Sequence, residues 1–170
     1  SNCFGSFLSN NLKMTKGAKV ALMMPNILQY PIVLHAVIRG GFSVVNVNPL
    51  YTARELEHQL KDSEAETIVI LENFAHVLDK VIAKTSVKNV VVTSLAEMLG
   101  FPKKQIINFV VRKIKKLVPE YSLKESNLFS FSQALTLGKE KEFISADVSS
   151  DDIAFLQYTG GTTGVSKGAV

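Results

Sequence analysis

Residues 19–71 read KVALMMPNILQYPIVLHAVIRGGFSVVNVNPLYTARELEHQLKDSEAETIVIL, and the alternation within them decides the fold. Lys19–Met24 is an apolar run of strand length, halted by Pro25-Asn26. Ile27–Arg39 places Leu28, Ile32, Ala36 and Arg39 at helical spacing. Pro31 is tolerated only in a first turn, where its missing N–H is not needed, so the helix starts near Gln29 or Tyr30. Gly40-Gly41 ends it. Phe42–Val47 is the next strand, stopped by Asn48-Pro49. Thr52-Ala53-Arg54-Glu55 fits a capping box: the threonine hydroxyl accepts from the third helical amide while the glutamate reaches back. That helix runs to about Asp62, and Glu66–Leu71 is a third strand.

The pattern continues in both directions. Phe4–Leu12 reads as a short amphipathic helix and Phe74–Lys84 as another. Asn89–Thr93 is a fourth strand, Leu128–Leu137 a helix stopped by Gly138, and Ile153–Gln157 a last strand. Strands alternating with helices predict an α/β fold, a mainly parallel sheet flanked by helices. Ligands in such folds gather at the carboxyl ends of the strands. The polar stretches Glu120–Asn127 and Lys139–Ser150 are the linker candidates.

With 170 residues, 46% hydrophobic and 20% charged, the chain can bury a core and is no disordered tail. Cys3 is alone, so no internal disulfide forms, and no Cys/His spacing suggests zinc. This fits a reducing compartment. No apolar run approaches the roughly 20 residues of a membrane-spanning helix. The first residues lack the charged-then-apolar pattern of a signal peptide; the chain opens without methionine, and Ser1-Asn2 is compatible with the remnant of a cleaved tag.

The last strand runs into Tyr158-Thr159-Gly160-Gly161-Thr162-Thr163-Gly164-Val165-Ser166-Lys167-Gly168. The glycines at 160, 161, 164 and 168 let backbone amides approach a ligand. Thr159, Thr162, Thr163 and Ser166 add hydroxyl donors, and Lys167 adds a positive charge. Such a set suits a polyphosphate, which offers dense negative charge and many acceptor oxygens. The Walker spacing is absent, and so is the Gly-x-Gly-x-x-Gly of a dinucleotide fold, since the first strand leads to Pro25-Asn26.

Tyr158–Gly168 resembles the phosphate-binding signature of adenylate-forming enzymes: acyl-CoA synthetases, firefly-type luciferases and peptide-synthetase adenylation domains. That family usually has proline before the lysine; here it is Ser166. Val20–Tyr30, Val44–Leu60 and Phe155–Gly168 resemble the bacterial long-chain fatty-acid–CoA ligases, and the resemblance extends over nearly the whole chain.

The resemblance implies a two-step reaction. A fatty carboxylate attacks the α-phosphate of Mg-ATP to give acyl-adenylate and pyrophosphate, and the thiol of coenzyme A then displaces AMP. Thr159, Gly160, Gly161, Thr162, Thr163, Gly164 and Lys167 would hold ATP, within a loop that also includes Val165, Ser166 and Gly168; Tyr158 would fix the start of the loop or simply pack. The family's ribose-binding aspartate, metal-linked glutamate, acyl pocket and mobile C-terminal domain lie downstream of this loop. Residues 1–170 are therefore expected to be a partial N-terminal AMP-binding domain, without a catalytic residue or a metal ligand, that completes neither half-reaction. An apolar boundary on such a piece predicts self-association, as a homodimer. Rival readings are another adenylate-forming enzyme acting on a different acid, and a standalone nucleotide- or membrane-binding module.

Lys103–Val118, KKQIINFVVRKIKKLV, carries much of the +4 net charge. On a helical wheel Ile106, Ile107, Val110, Val111, Ile114, Leu117 and Val118 share one face, with Lys104, Arg112, Lys115 and Lys116 opposite. One reading is a helix packed on the sheet with a solvated basic face. The other is an interfacial helix on an anionic bilayer, with those four cations at the headgroups, which would place the enzyme in the cytoplasm at the inner face of the cell membrane. Nucleic-acid binding is a poor fit, since Phe109 is the only aromatic among these charges. His35, His58 and His76 are scattered over three predicted helices and read as surface or boundary residues rather than catalysts. Glu55 and Glu57 face different sides of one helix, and Asp151-Asp152 reads as a solvated approach to the last strand.

Overall fold

A computed structural model describes residues 1–124, 126–159 and 167–170. Its strands are β1 (Lys19–Met23), β2 (Ser43–Asn46), β3 (Thr67–Leu71), β4 (Asn89–Thr93), β5 (Asn127–Ser130), β6 (Phe155–Thr159) and β7 (Lys167–Ala169). They form one sheet in the order β5-β4-β3-β1-β2-β6-β7. All neighbours are parallel except β6 and β7, which are antiparallel. The helices are α1 (Asn2–Ser6), α2 (Gln29–Arg39), α3 (Ala53–Ser63), α4 (Ala75–Asp79), α5 (Lys103–Phe109) and α6 (Phe131–Leu137). The expected α/β architecture with a mainly parallel sheet is the one observed.

Side-chain alternation sorts the central strands onto two buried faces. Ala21 and Met23 of β1, with Ile68 and Ile70 of β3, meet Leu56 and Leu60 of α3 and Ala75 and Leu78 of α4. Val20, Leu22, Val69 and Leu71 point the other way, onto Val33, Ala36 and Val37 of α2, Phe4 of α1 and Phe131 of α6. A sheet covered on both sides needs strands apolar on both sides, which is why β1 is apolar from Val20 to Met23 and β3 from Ile68 to Leu71. Tertiary packing also explains α1, which has no capping side chain and is too short to persist alone. Phe4 stacks on Phe131 with centroids 5.4 Å apart, and Phe7 meets Phe129 edge-on at 5.1 Å. Burying each ring is worth about 1.5–3 kcal/mol, more than helix propensity supplies.

Helix α2 starts at Gln29, so Pro31 does fall in the first turn. The capping box at Thr52 is present: Glu55 N donates to Thr52 Oγ1, and Thr52 N to Glu55 Oε2 at 2.8 Å.

Three segments differ from the sequence expectation. Residues 127–130 form strand β5, where the helix was expected to begin at Leu128, and α6 begins only at Phe131. The cause is a second capping box, Ser130 with Gln133, which starts the helix late and leaves the backbone of 127–130 for the β4 ladder. The helix expected over 74–84 is broken: α4 stops at Asp79, Val81 leaves helical geometry at φ −128°, and a 3-10 turn covers Ile82–Lys84. Asp79 accepts instead from the amides of Ser122 and Leu123 at 3.1 and 2.7 Å. The stretch 139–150 is no free linker, because Ser6 Oγ donates to Lys141 O at 2.9 Å and Arg39 lies 5.2 Å over the Phe143 ring.

Candidate functional site

The glycine- and threonine-rich segment joins β6 to β7. Tyr158 and Thr159 end β6, and the backbone of Lys167 and Gly168 opens β7. Tyr158 pairs with Gly168 and Thr159 with Lys167, so the two ends of the loop meet as an antiparallel hairpin. The calls on Gly160, Gly161, Thr162, Thr163, Gly164, Val165 and Ser166 lie outside the described residues. The loop leaves from the carboxyl end of β6, beside β2, the edge at which a parallel sheet presents ligand sites.

Beside it lies a cleft of about 510 Å³, bordered by Met24, Tyr30, Asn46, Asn48, Tyr51 and Gln157. Tyr30 Oη donates to Asn46 Oδ1 at 2.9 Å, and Asn46 Nδ2 donates to Gln157 Oε1 at 3.0 Å. This amide chain links α2, β2 and β6 across the carboxyl ends of the strands and offers fixed donors and acceptors to a polar ligand. The sequence reading missed it. Its one local sign is Asn46, a polar residue inside the apolar run Val44–Val47.

Tyr158 is almost fully buried, and its ring joins the cluster formed with α3. Its hydroxyl donates to Asp62 Oδ2 at 2.6 Å. Burial, the hydrogen bond to Asp62 and that residue's negative charge all push the phenol pKa upward, so Tyr158 stays a neutral donor. From Asp152 to Val170 there is no further carboxylate, so a phosphate held by the loop meets no like charge from the loop's own sequence. Asp152 itself closes a turn, accepting from Ser149 N at 2.7 Å and pairing with Lys16 at 2.7 Å. Among the described residues no group of three or more His, Cys, Asp and Glu could hold a metal ion.

The basic segment lies at the other end of the sheet. Helix α5 continues as a wider π turn over Val110–Ile114. Two of the cations expected to face solvent turn inward instead. Lys104 Nζ is 2.9 Å from Glu97 Oε1, and Arg112 grips Glu72. Asn108 Nδ2 adds a bond to Ser94 Oγ at 3.0 Å. Val111 is buried, whereas Ile106, Phe109, Ile114 and Leu117 are exposed. Lys103, Lys113, Lys115 and Lys116 make no ion pair among the described residues. No helix described is long and apolar enough to cross a membrane.

Comparison with known proteins places this geometry. The chain is 54% identical over 170 residues to a long-chain-fatty-acid–CoA ligase of Yersinia pestis, and 52% identical to that of Salmonella typhimurium. Each match covers 100% of this chain and 30% of the relative, so the chain spans about a third of the length of these proteins. The crystal structure of a long-chain-fatty-acid–CoA ligase from Archaeoglobus fulgidus superposes with a TM-score of 0.69 at 28% identity, over 98% of this chain and 27% of that one. The family model for AMP-binding enzymes matches residues 1–170, and the chain belongs to that family.

Proposed function

We propose that the whole protein is an ATP-dependent long-chain fatty-acid–CoA ligase and that this chain is the N-terminal part of its AMP-binding domain. The observation that carries the reading is the hairpin. Its two strand ends, Tyr158-Thr159 and Lys167-Gly168, meet at the carboxyl edge of a parallel sheet, next to the Tyr30–Asn46–Gln157 cleft, and the sequence that joins them is rich in glycine and hydroxyl residues. The similarity to bacterial ligases over the full chain supports a fatty acid as the substrate.

In this reading the backbone amides at Gly160, Gly161 and Gly164 and the hydroxyls of Thr159, Thr162 and Thr163 hold the β- and γ-phosphates, and Lys167 offsets their charge. Ser166 replaces a rigid proline without removing any of these donors. A carboxylate oxygen of the fatty acid attacks the α-phosphorus; the bond to the β-phosphate breaks and pyrophosphate leaves. The thiolate of coenzyme A then attacks the acyl carbon and AMP leaves. Mg2+ bound with ATP supplies further charge neutralisation. The loop's own contribution is to fix the leaving pyrophosphate in line and to keep its charge screened.

The test is pyrophosphate release by the full-length protein, with ATP and a panel of acids. Release driven by palmitate, and lowered by Lys167→Ala, supports the reading. Release with an amino acid or aromatic acid but not palmitate would place the protein in another branch. Release with no acid would overturn it.

A second reading concerns the basic segment. Exposed Ile106, Phe109 and Ile114 beside unpaired Lys103, Lys113, Lys115 and Lys116 have the composition of an interfacial helix on an anionic bilayer. We infer peripheral contact of the enzyme with the inner face of the cell membrane through this surface. Lys104 and Arg112 then serve mainly to strap the helix to the domain.

A further inference from the structure

Asp62 lies in the last turn of α3, exposed and far in sequence from the loop. A carboxylate there opposes the negative end of the helix dipole, so the helix gains nothing from it. Its hydroxyl partner, Tyr158, is the residue two before Gly160, at the point where β6 gives way to the loop. The same tyrosine reaches the far end of the loop. A Cβ built on Gly168 would stand 3.1 Å from Tyr158 Cζ and 3.4 Å from its Oη, so the hydroxyl end of the ring lies against the glycine backbone of β7. Strand β7 is the sheet edge and its only ladder partner is β6, which leaves this ring as its side-chain anchor among the described residues. Helix α3 is itself fixed, by its capping box and by Gln59 Nε2 donating to Asn46 O of β2 at 2.7 Å.

We propose that Asp62 is a positioning residue for the phosphate loop, acting through Tyr158, whose hydroxyl it fixes and whose ring holds Gly168, so that both ends of the loop are clamped to α3. The inference rests on the reading of residues 159–168 as the ATP-phosphate loop. Holding any glycine-rich segment in one arrangement costs more conformational entropy than holding other sequence. Anchoring its two ends in advance lowers that cost and strengthens binding without any new contact to the ligand. The clamp therefore acts on ATP and leaves the fatty acid untouched. Tyr158 remains a neutral donor at any physiological pH, so the clamp does not switch.

The test uses the full-length ligase, with steady-state pyrophosphate release and thermal unfolding measured for Asp62→Ala, Asp62→Asn, Tyr158→Phe, the Asp62→Ala/Tyr158→Phe double variant and Gly168→Ala. A charge-assisted hydrogen bond supports an expectation of about a 5- to 20-fold rise in the KM for ATP. The KM for palmitate should stay within about twofold. The double variant should be no worse than either single variant, because both remove one bond. Asp62→Asn, which keeps an acceptor oxygen, should recover part of the loss. Gly168→Ala should raise the ATP KM in the same way by displacing the ring.

Additive effects of Asp62→Ala and Tyr158→Phe would overturn the proposal, as would a fall in melting temperature with an unchanged ATP KM. Lys167→Ala and Thr162→Ala are measured alongside. If these raise the ATP KM and the Asp62 variants do not, the clamp fails and the phosphate-loop reading stands. If none of them moves it, the phosphate-loop reading fails and the clamp with it.

Discussion

Arg112 reaches from the basic segment to Glu72 at the end of β3, with Nη2 2.6 Å and Nε 3.0 Å from the same carboxylate oxygen. The glutamate side chain is 3% exposed and the arginine 52%, so a buried charge is neutralised by one that still touches water. The pairing decides how the amphipathic segment lies. A carboxylate at that depth cannot be left alone, and satisfying it draws the arginine inward, while Ile114 of the expected apolar face is exposed.

Removing the guanidinium should therefore be costly. Breaking a fully buried pair typically costs roughly 3–5 kcal/mol, and the half-exposed arginine lowers that expectation for Arg112→Met to about 2–3 kcal/mol. Glu72→Gln in the same protein should recover more than half of the loss. Denaturant midpoints of the full-length protein and the two variants measure both. An unchanged midpoint in Arg112→Met would show that Glu72 is solvated without its partner.

Glu97 gives a pH dependence of definite sign. Burial alone would raise its pKa, but the Lys104 ammonium at 2.9 Å and the Ser94 hydroxyl at 2.7 Å outweigh burial and hold it below the usual carboxylate range. A carboxylate with a depressed folded-state pKa contributes stability above its unfolded value of about 4.3, and loses it as pH falls through the folded value. Lys104→Met leaves burial opposed only by the Ser94 and Ser132 hydroxyls, so the titration of Glu97 should move upward. Carboxyl NMR shifts followed from pH 2 to 7 report it directly; a midpoint that stays in place would rule out Lys104 as the main cause.

Gly138 is required by helix packing rather than by backbone conformation. Its φ of −73° suits any residue, but an added Cβ would sit 1.7 Å from the carbonyl oxygen of Cys3 in α1. Gly138→Ala must separate α6 from α1 and should cost about 1–3 kcal/mol or more. Gly100 is the control, since nothing lies within 4 Å of its added Cβ. Gly100→Ala should be neutral or slightly stabilising. Equal unfolding midpoints for the two variants would refute the packing account.

The membrane reading predicts a division among the cations. Co-sedimentation of the full-length protein with vesicles rich in anionic lipid should weaken several-fold when Lys103, Lys113, Lys115 and Lys116 become glutamine. It should weaken also when Ile106 and Phe109 become serine. Neutral vesicles should show little binding in any variant. Binding that survives both sets of changes would rule out this surface.

The alternation of strands and helices was legible because period-2 and period-3.6 patterns are written in neighbouring residues. So was the Thr52 cap, which spans only four positions. The same local logic was overlooked at Ser130-Phe131-Ser132-Gln133, whose capping box marks where β5 ends and α6 begins. The glycine, threonine and lysine set between β6 and β7 is a side-chain inventory that the sequence alone supplies.

By itself, then, the sequence determined the class of sheet, since that rests on short-range pattern. Tertiary structure alone decided that Asp62 meets Tyr158 across 96 positions, that Asn46 bridges Tyr30 and Gln157, and that Arg112 turns inward. Partners so distant leave no periodic trace in the chain. Their pairing follows from where buried donors and charges come to lie once the two apolar faces of the sheet have been covered.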